Sequence, residues 1–173
     1  GLACPTSIWI IWTRFPQWKK CSWRNYSETM SYIITKKFDR LKAAHRQWRH
    51  PGHCARIHGE CWSFDVVLEA DILDDLNFVL DFGELDWLKN WFDSKFDHVL
   101  LVDFDDPELD TLRKLDEQGL TKLVEVRSCS AEGLAVMVYA HVSEELRHRT
   151  NGRVKVKQVV CYEDSKNSAA YSQ

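Results

Sequence analysis

His58-Gly-Glu-Cys-Trp-Ser-Phe-Asp-Val-Val-Leu-Glu-Ala-Asp71 is the clearest strand in the chain. Trp62, Phe64, Val66, Leu68 and Ala70 take every second position, while Ser63, Asp65, Glu69 and Asp71 fall between them. A period of two with one apolar and one mostly polar side describes a half-buried antiparallel strand. The same alternation puts His58 and Glu60, at its start, on one side and at a spacing that a metal can bridge. Cys54 comes just before them and His45 a little upstream. Two neutral imidazoles, a carboxylate and an open fourth position make a catalytic arrangement for zinc. On residue chemistry alone, Cys54 is a nucleophile, a base or a fourth ligand. His45 and His58 are ligands, or solvated loop histidines like His50 and His53 nearby. Glu60 is a ligand, an acceptor for a ligand, or an outward strand residue, and its parity with His58 favours ligation.

Composition bounds what surrounds this strand. The 173 residues suffice for one well-buried domain and are too few for two comfortable ones. Hydrophobic content of 45% and charged content of 28% are ordinary for a globular protein. A formal net charge of −3 leaves no global basic footprint, which argues against nucleic acid as a partner. No apolar run approaches the roughly 18–20 residues needed to span a bilayer, so no membrane partner is expected. Six cysteines without a CxxC pair read best as a reduced, cytoplasmic protein, although an even count leaves disulfides formally open.

Upstream, Ser31–Phe38 is rich in β-branched and aromatic residues and reads as a first strand. Residues 1–29 hold Trp9, Trp12, Trp18 and Trp23 without a sustained period. They read as an N-terminal extension ahead of a domain over 30–173. Either Met30 is the natural start and the extension is artificial or upstream-derived, or it packs its tryptophans on a partner subunit. Downstream, Asp81 followed by Glu84 resembles a helix start. Phe82, Leu85, Leu88, Trp91, Phe92 and Phe96 then share one helical face that ends near Asp97-His98. Asp103–Glu117 reads as an acidic loop with a short helix in Leu109–Leu115. A second long helix is expected from Ala131 to His148, capped by Ser130 and stopped by Asn151-Gly152. Its buried stripe is Ala131, Ala135, Val138, Val142 and Leu146. Arg153–Cys161 is a strand, and Ser168–Tyr171 adds a short last one. The resulting ββααββ order is an α+β domain: a four-stranded antiparallel sheet with two helices on one face.

Six short motifs in this order resemble the 6-pyruvoyl-tetrahydropterin synthase family, whose bacterial branch is 6-carboxytetrahydropterin synthase. They are Ala-Ala-His45-Arg, Cys54-x-x-x-His58-Gly, Val79-Leu-Asp81-Phe82-Gly83, Phe96-Asp97-His98, Ser130-Ala-Glu132 and Cys161-Tyr-Glu163. The resemblance spans roughly residues 31–171. It implies the tunnelling fold (T-fold) and a ring-forming homo-oligomer, a hexamer with active sites between subunits. The implied substrate is the small molecule 7,8-dihydroneopterin triphosphate. The implied enzyme is a zinc-dependent carbon–oxygen lyase that yields 6-carboxytetrahydropterin with loss of triphosphate and acetaldehyde, in the queuosine or 7-deazaguanine precursor pathway. The alternatives are the pyruvoyl product of the tetrahydrobiopterin pathway, an aldol-type side-chain cleavage on the same fold, and a metal-poor pterin-binding module without turnover.

By the same resemblance His45 and His58 ligate zinc, Cys54 is the general base, and Asp97 and His98 form a relay pair. Glu163 anchors the pterin and joins the relay, and Glu132 matches a second pterin-side glutamate. The family has a second histidine where this chain has Glu60. A carboxylate there can ligate zinc at about 2.0–2.2 Å, but it adds a negative charge and makes a weaker Lewis acid that is less selective for zinc. Arg46, Arg49 and lysines on the last strands are candidates for the triphosphate.

Overall fold

The computed structural model describes residues 31–173, so the expected extension over 1–29 and its tryptophans lie outside the described residues. The two longest strands, β1 (Tyr32–His45) and β2 (His58–Ala70), pair antiparallel from Tyr32↔Ala70 to His45↔His58. The apolar side of β2 is the core: Trp62, Phe64, Val66 and Leu68 are fully buried. β1 runs well past Phe38, where alternation first fails. Between Phe38 and Leu41 it carries one residue more than its partner, with Arg40 at φ 62°. Inward positions are therefore even-numbered up to Phe38 and odd-numbered from Leu41 to His45. This β-bulge turns His45 to the core side.

A short 3-10 turn (Phe82–Leu85), opened by Asp81 accepting from the Gly83 N–H, leads into α1 (Asp86–Phe96). Leu85, Leu88, Phe92 and Phe96 are buried as the helical spacing predicts, whereas Phe82 remains exposed. Phe92 stacks on Phe38 of β1 with ring centroids 4.4 Å apart. After α1 the chain departs from the expected order. Val99–Asp103 is a strand, β3, parallel to β1, and Leu123–Val126 is β4, parallel to β3. Between them Leu109–Glu117 forms α2. The last helix, α3 (Ala131–Arg149), has Ser130 as its N-cap, accepting from the Gly133 N–H at 3.1 Å. Asn151 and Gly152 close it with positive φ. β5 (Lys155–Tyr162) pairs with β2, and β6 (Ser168–Tyr171) with β5, both antiparallel.

The sheet is thus six-stranded and mixed, in the order β4-β3-β1-β2-β5-β6, not four-stranded and antiparallel. Three helices cover it instead of two. α1 and α3 pack on one face, sharing a single core with β1 and β2. α2 packs on the other face, where Leu109 and Leu112 meet Leu100 and Val102 of β3. β3 is covered on both sides, so it is apolar at nearly every position and shows no alternation. Among the described residues no helix is long and apolar enough to cross a membrane. Cys54, Cys61, Cys129 and Cys161 are all unpaired.

Candidate metal centre

His45 ends β1 and His58 begins β2, and the ladder places them directly opposite one another. Their rings lie 4.4 Å apart between centroids. Glu60, two residues along β2, shares their face. One ligand atom from each of His45, His58 and Glu60 lies within 4.8 Å of the others. No other histidine, cysteine or acid cluster among the described residues converges in this way. The open end of the core has become a three-donor site.

The ring tautomers follow from the hydrogen bonds. His45 Nδ1 donates to the Cys129 carbonyl at 3.1 Å, and His58 Nδ1 donates to the Arg56 carbonyl at 2.7 Å. In the neutral form of each ring this leaves Nε2 as the free donor atom, the one a metal takes. His45 is wholly buried, and among the described residues its Nε2 has no hydrogen-bond partner; Glu163 Oε1 stands 3.7 Å away. An orphaned buried acceptor costs about 1–3 kcal/mol, a deficit that a bound cation would remove. Burial lowers the His45 pKa from its ordinary value, outweighing the hydrogen bond to Cys129, which favours the charged ring. The Trp62 indole stands edge-on against His45, with ring centroids 5.0 Å apart. His58 Nε2 and Glu60 Oε1 are 4.0 Å apart. Two neutral imidazoles and a carboxylate, with one side open to solvent, fit a divalent cation such as zinc.

Glu163, just past β5, is the one remaining expected residue beside this cluster. Glu132, in the exposed first turn of α3, lies near it: both carboxylates act on the thiol of Cys161, which burial pushes up first of all. Cys54 sits half-buried in a 3-10 turn (His53–Ala55), whose carbonyl accepts from the Gln47 N–H at 2.8 Å and closes the β1–β2 connection. Asp97 and His98 pair with each other, Oδ2 to Nδ1 at 3.0 Å, but at the α1–β3 junction and apart from the three donors. Asp97 also accepts from the Lys42 N–H at 3.2 Å. That bond, then the contact with His98, lowers its pKa. His98 has φ 55° and a side chain 75% exposed.

Two groups here carried no sign in the sequence. Asp103, at the end of β3 and only 4% exposed, accepts from the Cys129 N–H at 2.7 Å. Cys129 in turn supplies the carbonyl that holds His45. The arginines expected to meet a triphosphate are already engaged. Arg46 pairs with Asp106 at 3.1 Å, and Arg49 lies against Asp105 and, at 3.8 Å, Asp103. Three aspartates of the β3–α2 corner thus hold the loop that follows β1. On the last strands Lys157 is similarly paired with Glu69, at 3.1 Å.

Comparison with known proteins gives a family match and a likeness of fold. Residues 33–173 match the family model described as 6-pyruvoyl tetrahydropterin synthase. The 6-carboxy-5,6,7,8-tetrahydropterin synthase of Aquifex aeolicus is 27% identical over 162 residues, covering 83% of this chain and 99% of that protein. The same-named protein of Rickettsia conorii is 37% identical over 68 residues, 39% of this chain and 49% of that one. Among solved structures, an uncharacterized protein from Wolinella succinogenes superposes with a TM-score of 0.73 at 23% identity, over 83% of this chain and 99% of that one. The Plasmodium falciparum 6-pyruvoyl tetrahydropterin synthase gives 0.60 at 14% identity, over 83% and 98%, a likeness of fold.

Proposed function

The chain belongs to the 6-pyruvoyl tetrahydropterin synthase family, and from that premise we propose a zinc-dependent lyase of the 6-carboxytetrahydropterin synthase type. Its substrates are 7,8-dihydroneopterin triphosphate and one water, and its products are 6-carboxytetrahydropterin, triphosphate and acetaldehyde, on the route to 7-deazaguanines. The observation that carries the reading is the convergence of His45, His58 and Glu60 on one point, with the Nε2 of a buried ring left unpartnered. The 6-carboxy name shared by the relatives at 27% and 37% identity favours the carboxy product over the pyruvoyl one.

When bound, the cation supplies Lewis acidity that polarises the hydroxyls of the substrate side chain and makes the adjacent C–H protons acidic. His45 and His58 present Nε2 to it, and Glu60 completes the set with a carboxylate. Glu163 accepts the paired N–H groups of the 2-amino-pyrimidinone edge, a bidentate contact that fixes which way the pterin lies. Its position beside His45 sets the pterin against the metal centre. Glu132 lines the same side. Cys54 takes the side-chain proton as general base. Asp97 orients the His98 imidazole through Nδ1 and leaves Nε2 to relay protons. Within one chain that pair stands apart from the donors, which supports active sites assembled between subunits of a ring-shaped homo-oligomer, a hexamer.

The test is direct. Purified protein is assayed for metal content, incubated with 7,8-dihydroneopterin triphosphate, and its products are identified by mass. About one zinc per chain, acetaldehyde release, and loss of both metal and turnover in Glu60→Ala are expected. A stable, metal-free protein that binds pterin without turnover would sink the lyase reading, and product formation without acetaldehyde would point to the pyruvoyl reaction.

A further inference from the structure

We propose that Asp103 is a positioning residue of the metal centre: its buried carboxylate fixes Cys129, so that the Cys129 carbonyl holds the His45 ring with Nε2 aimed at the metal. The inference rests on the metal-centre reading above and adds a residue that no ligand motif contains.

A ring with two nitrogens has two neutral tautomers, and only one of them offers Nε2 as a donor. His45 is kept in that tautomer by a single hydrogen bond, to a backbone carbonyl at 3.1 Å. The carbonyl belongs to a corner, Ser128-Cys129-Ser130, between β4 and α3, and such a corner needs its own support. Asp103 provides it. Its Oδ1 accepts from the Cys129 N–H at 2.7 Å, a charge-assisted bond in a buried setting. The Cys129 thiol also lies against this carboxylate, which helps burial push it up and leaves it a protonated, inert packing group. Residue 129 is therefore held on one side by Asp103 and on the other by His45. From the far side Arg49 stands 3.8 Å from Asp103 Oδ2, and the Arg46–Asp106 pair ties the chain immediately after His45 to the β3–α2 corner that follows Asp103. The carboxylate is 4% exposed and is not itself one of the three converging donors; within the described residues it holds the Cys129 N–H and faces Arg49. Partners that orient a ligating imidazole are worth roughly 10–100-fold in metal affinity.

The expectation concerns binding of the metal alone, measured on the full chain by competition with a chromophoric chelator for zinc and by the absorption spectrum of the cobalt(II) form. Asp103→Ala should weaken zinc by roughly 10–100-fold and alter the cobalt bands. Asp103→Asn, which keeps an oxygen acceptor for the Cys129 N–H, should stay within about threefold of wild type. Unchanged affinity and spectrum in Asp103→Ala would overturn the proposal, as would an Asn variant as weak as the Ala variant. If Asp103→Ala does not fold, the wild-type protein still decides. Nitrogen-15 shifts of the metal-free protein should show His45 protonated at Nδ1, in Asp103→Asn as in wild type. Protonation at Nε2 in either protein would overturn the proposal. A wild-type protein that binds no zinc or cobalt at all would instead remove the metal-centre reading on which this rests.

Discussion

At residue scale the site divides by what a side chain can advertise. His58 and Glu60 were legible together because ligand chemistry and strand parity act through the side chain itself, and His45 as a nearby imidazole, whereas Glu163 was named only through the family resemblance. Asp103 and the Cys129 carbonyl were not, because a brace made through the backbone leaves no spacing in the sequence. Arg46 and Arg49, free cations in the sequence, are paired with acids in the fold. Glu60 sets the first expectation. Carboxylates favour harder cations and imidazoles favour zinc. Glu60→His should therefore shift the preference between zinc and manganese towards zinc, as read by competition between the two ions. Asp97 sets the second. Its folded pKa lies below the unfolded one, so its charge contributes stability that is present above the unfolded value and lost as pH falls through the folded one. The melting-temperature deficit of Asp97→Asn seen at neutral pH should accordingly close on acidification through pH values below about 4. A deficit that persists unchanged there would show that the charge is not what matters.

At the scale of elements, long alternation and long helical stripes were readable, and the failures have physical causes. β1 was expected to end at Phe38 because the bulge breaks its period there. β3 was missed because a strand buried on both faces has no alternation to display, and with it went the parallel half of the sheet. α2 was expected as a short helix but not as the cover of a second face. Leu112 at the centre of that small cluster should be expensive to truncate. Leu112→Ala is expected to cost about 2–4 kcal/mol in denaturant unfolding, with amide exchange rising first in α2. The first turn of α3 gives a sharper test. A methyl at Gly133 would stand 2.4 Å from Ser128 Cβ and 2.7 Å from its carbonyl oxygen. Gly133→Ala should therefore destabilise by about 1–3 kcal/mol, although alanine is the better helix former by roughly 1 kcal/mol. The same crowding presses on the corner that carries the Cys129 carbonyl.

On the scale of the whole molecule, α1 and α3 shield one face of the sheet, while α2 packs on the other near its β3–β4 end. The remainder of that second face carries a polar network in which Asp65 accepts from Tyr162 at 3.0 Å and pairs with Lys37 at 2.9 Å. Among the described residues β4 and β6 form the two edges of the sheet. Both features suit a protein that functions as an assembly, so light scattering should give a mass that is a multiple of 20.3 kDa. If the Asp97–His98 pair serves a neighbour's metal centre, mixing dissociated and reassembled Cys54→Ala and His98→Ala chains should restore activity that neither has alone. Absence of any recovery would place both groups in the same chain's site. The bulge in β1 has a further consequence, for how such a chain can change over generations. Because one extra residue switches the inward parity between Phe38 and Leu41, losing a single codon at Arg40 would force a choice. Either Phe38 leaves the core, or Leu41, Ala43 and His45 turn outward together. Substitutions in this strand can accumulate one at a time, but its length is locked: the insertion that shapes the sheet and the one that turns His45 towards its candidate partners are the same event.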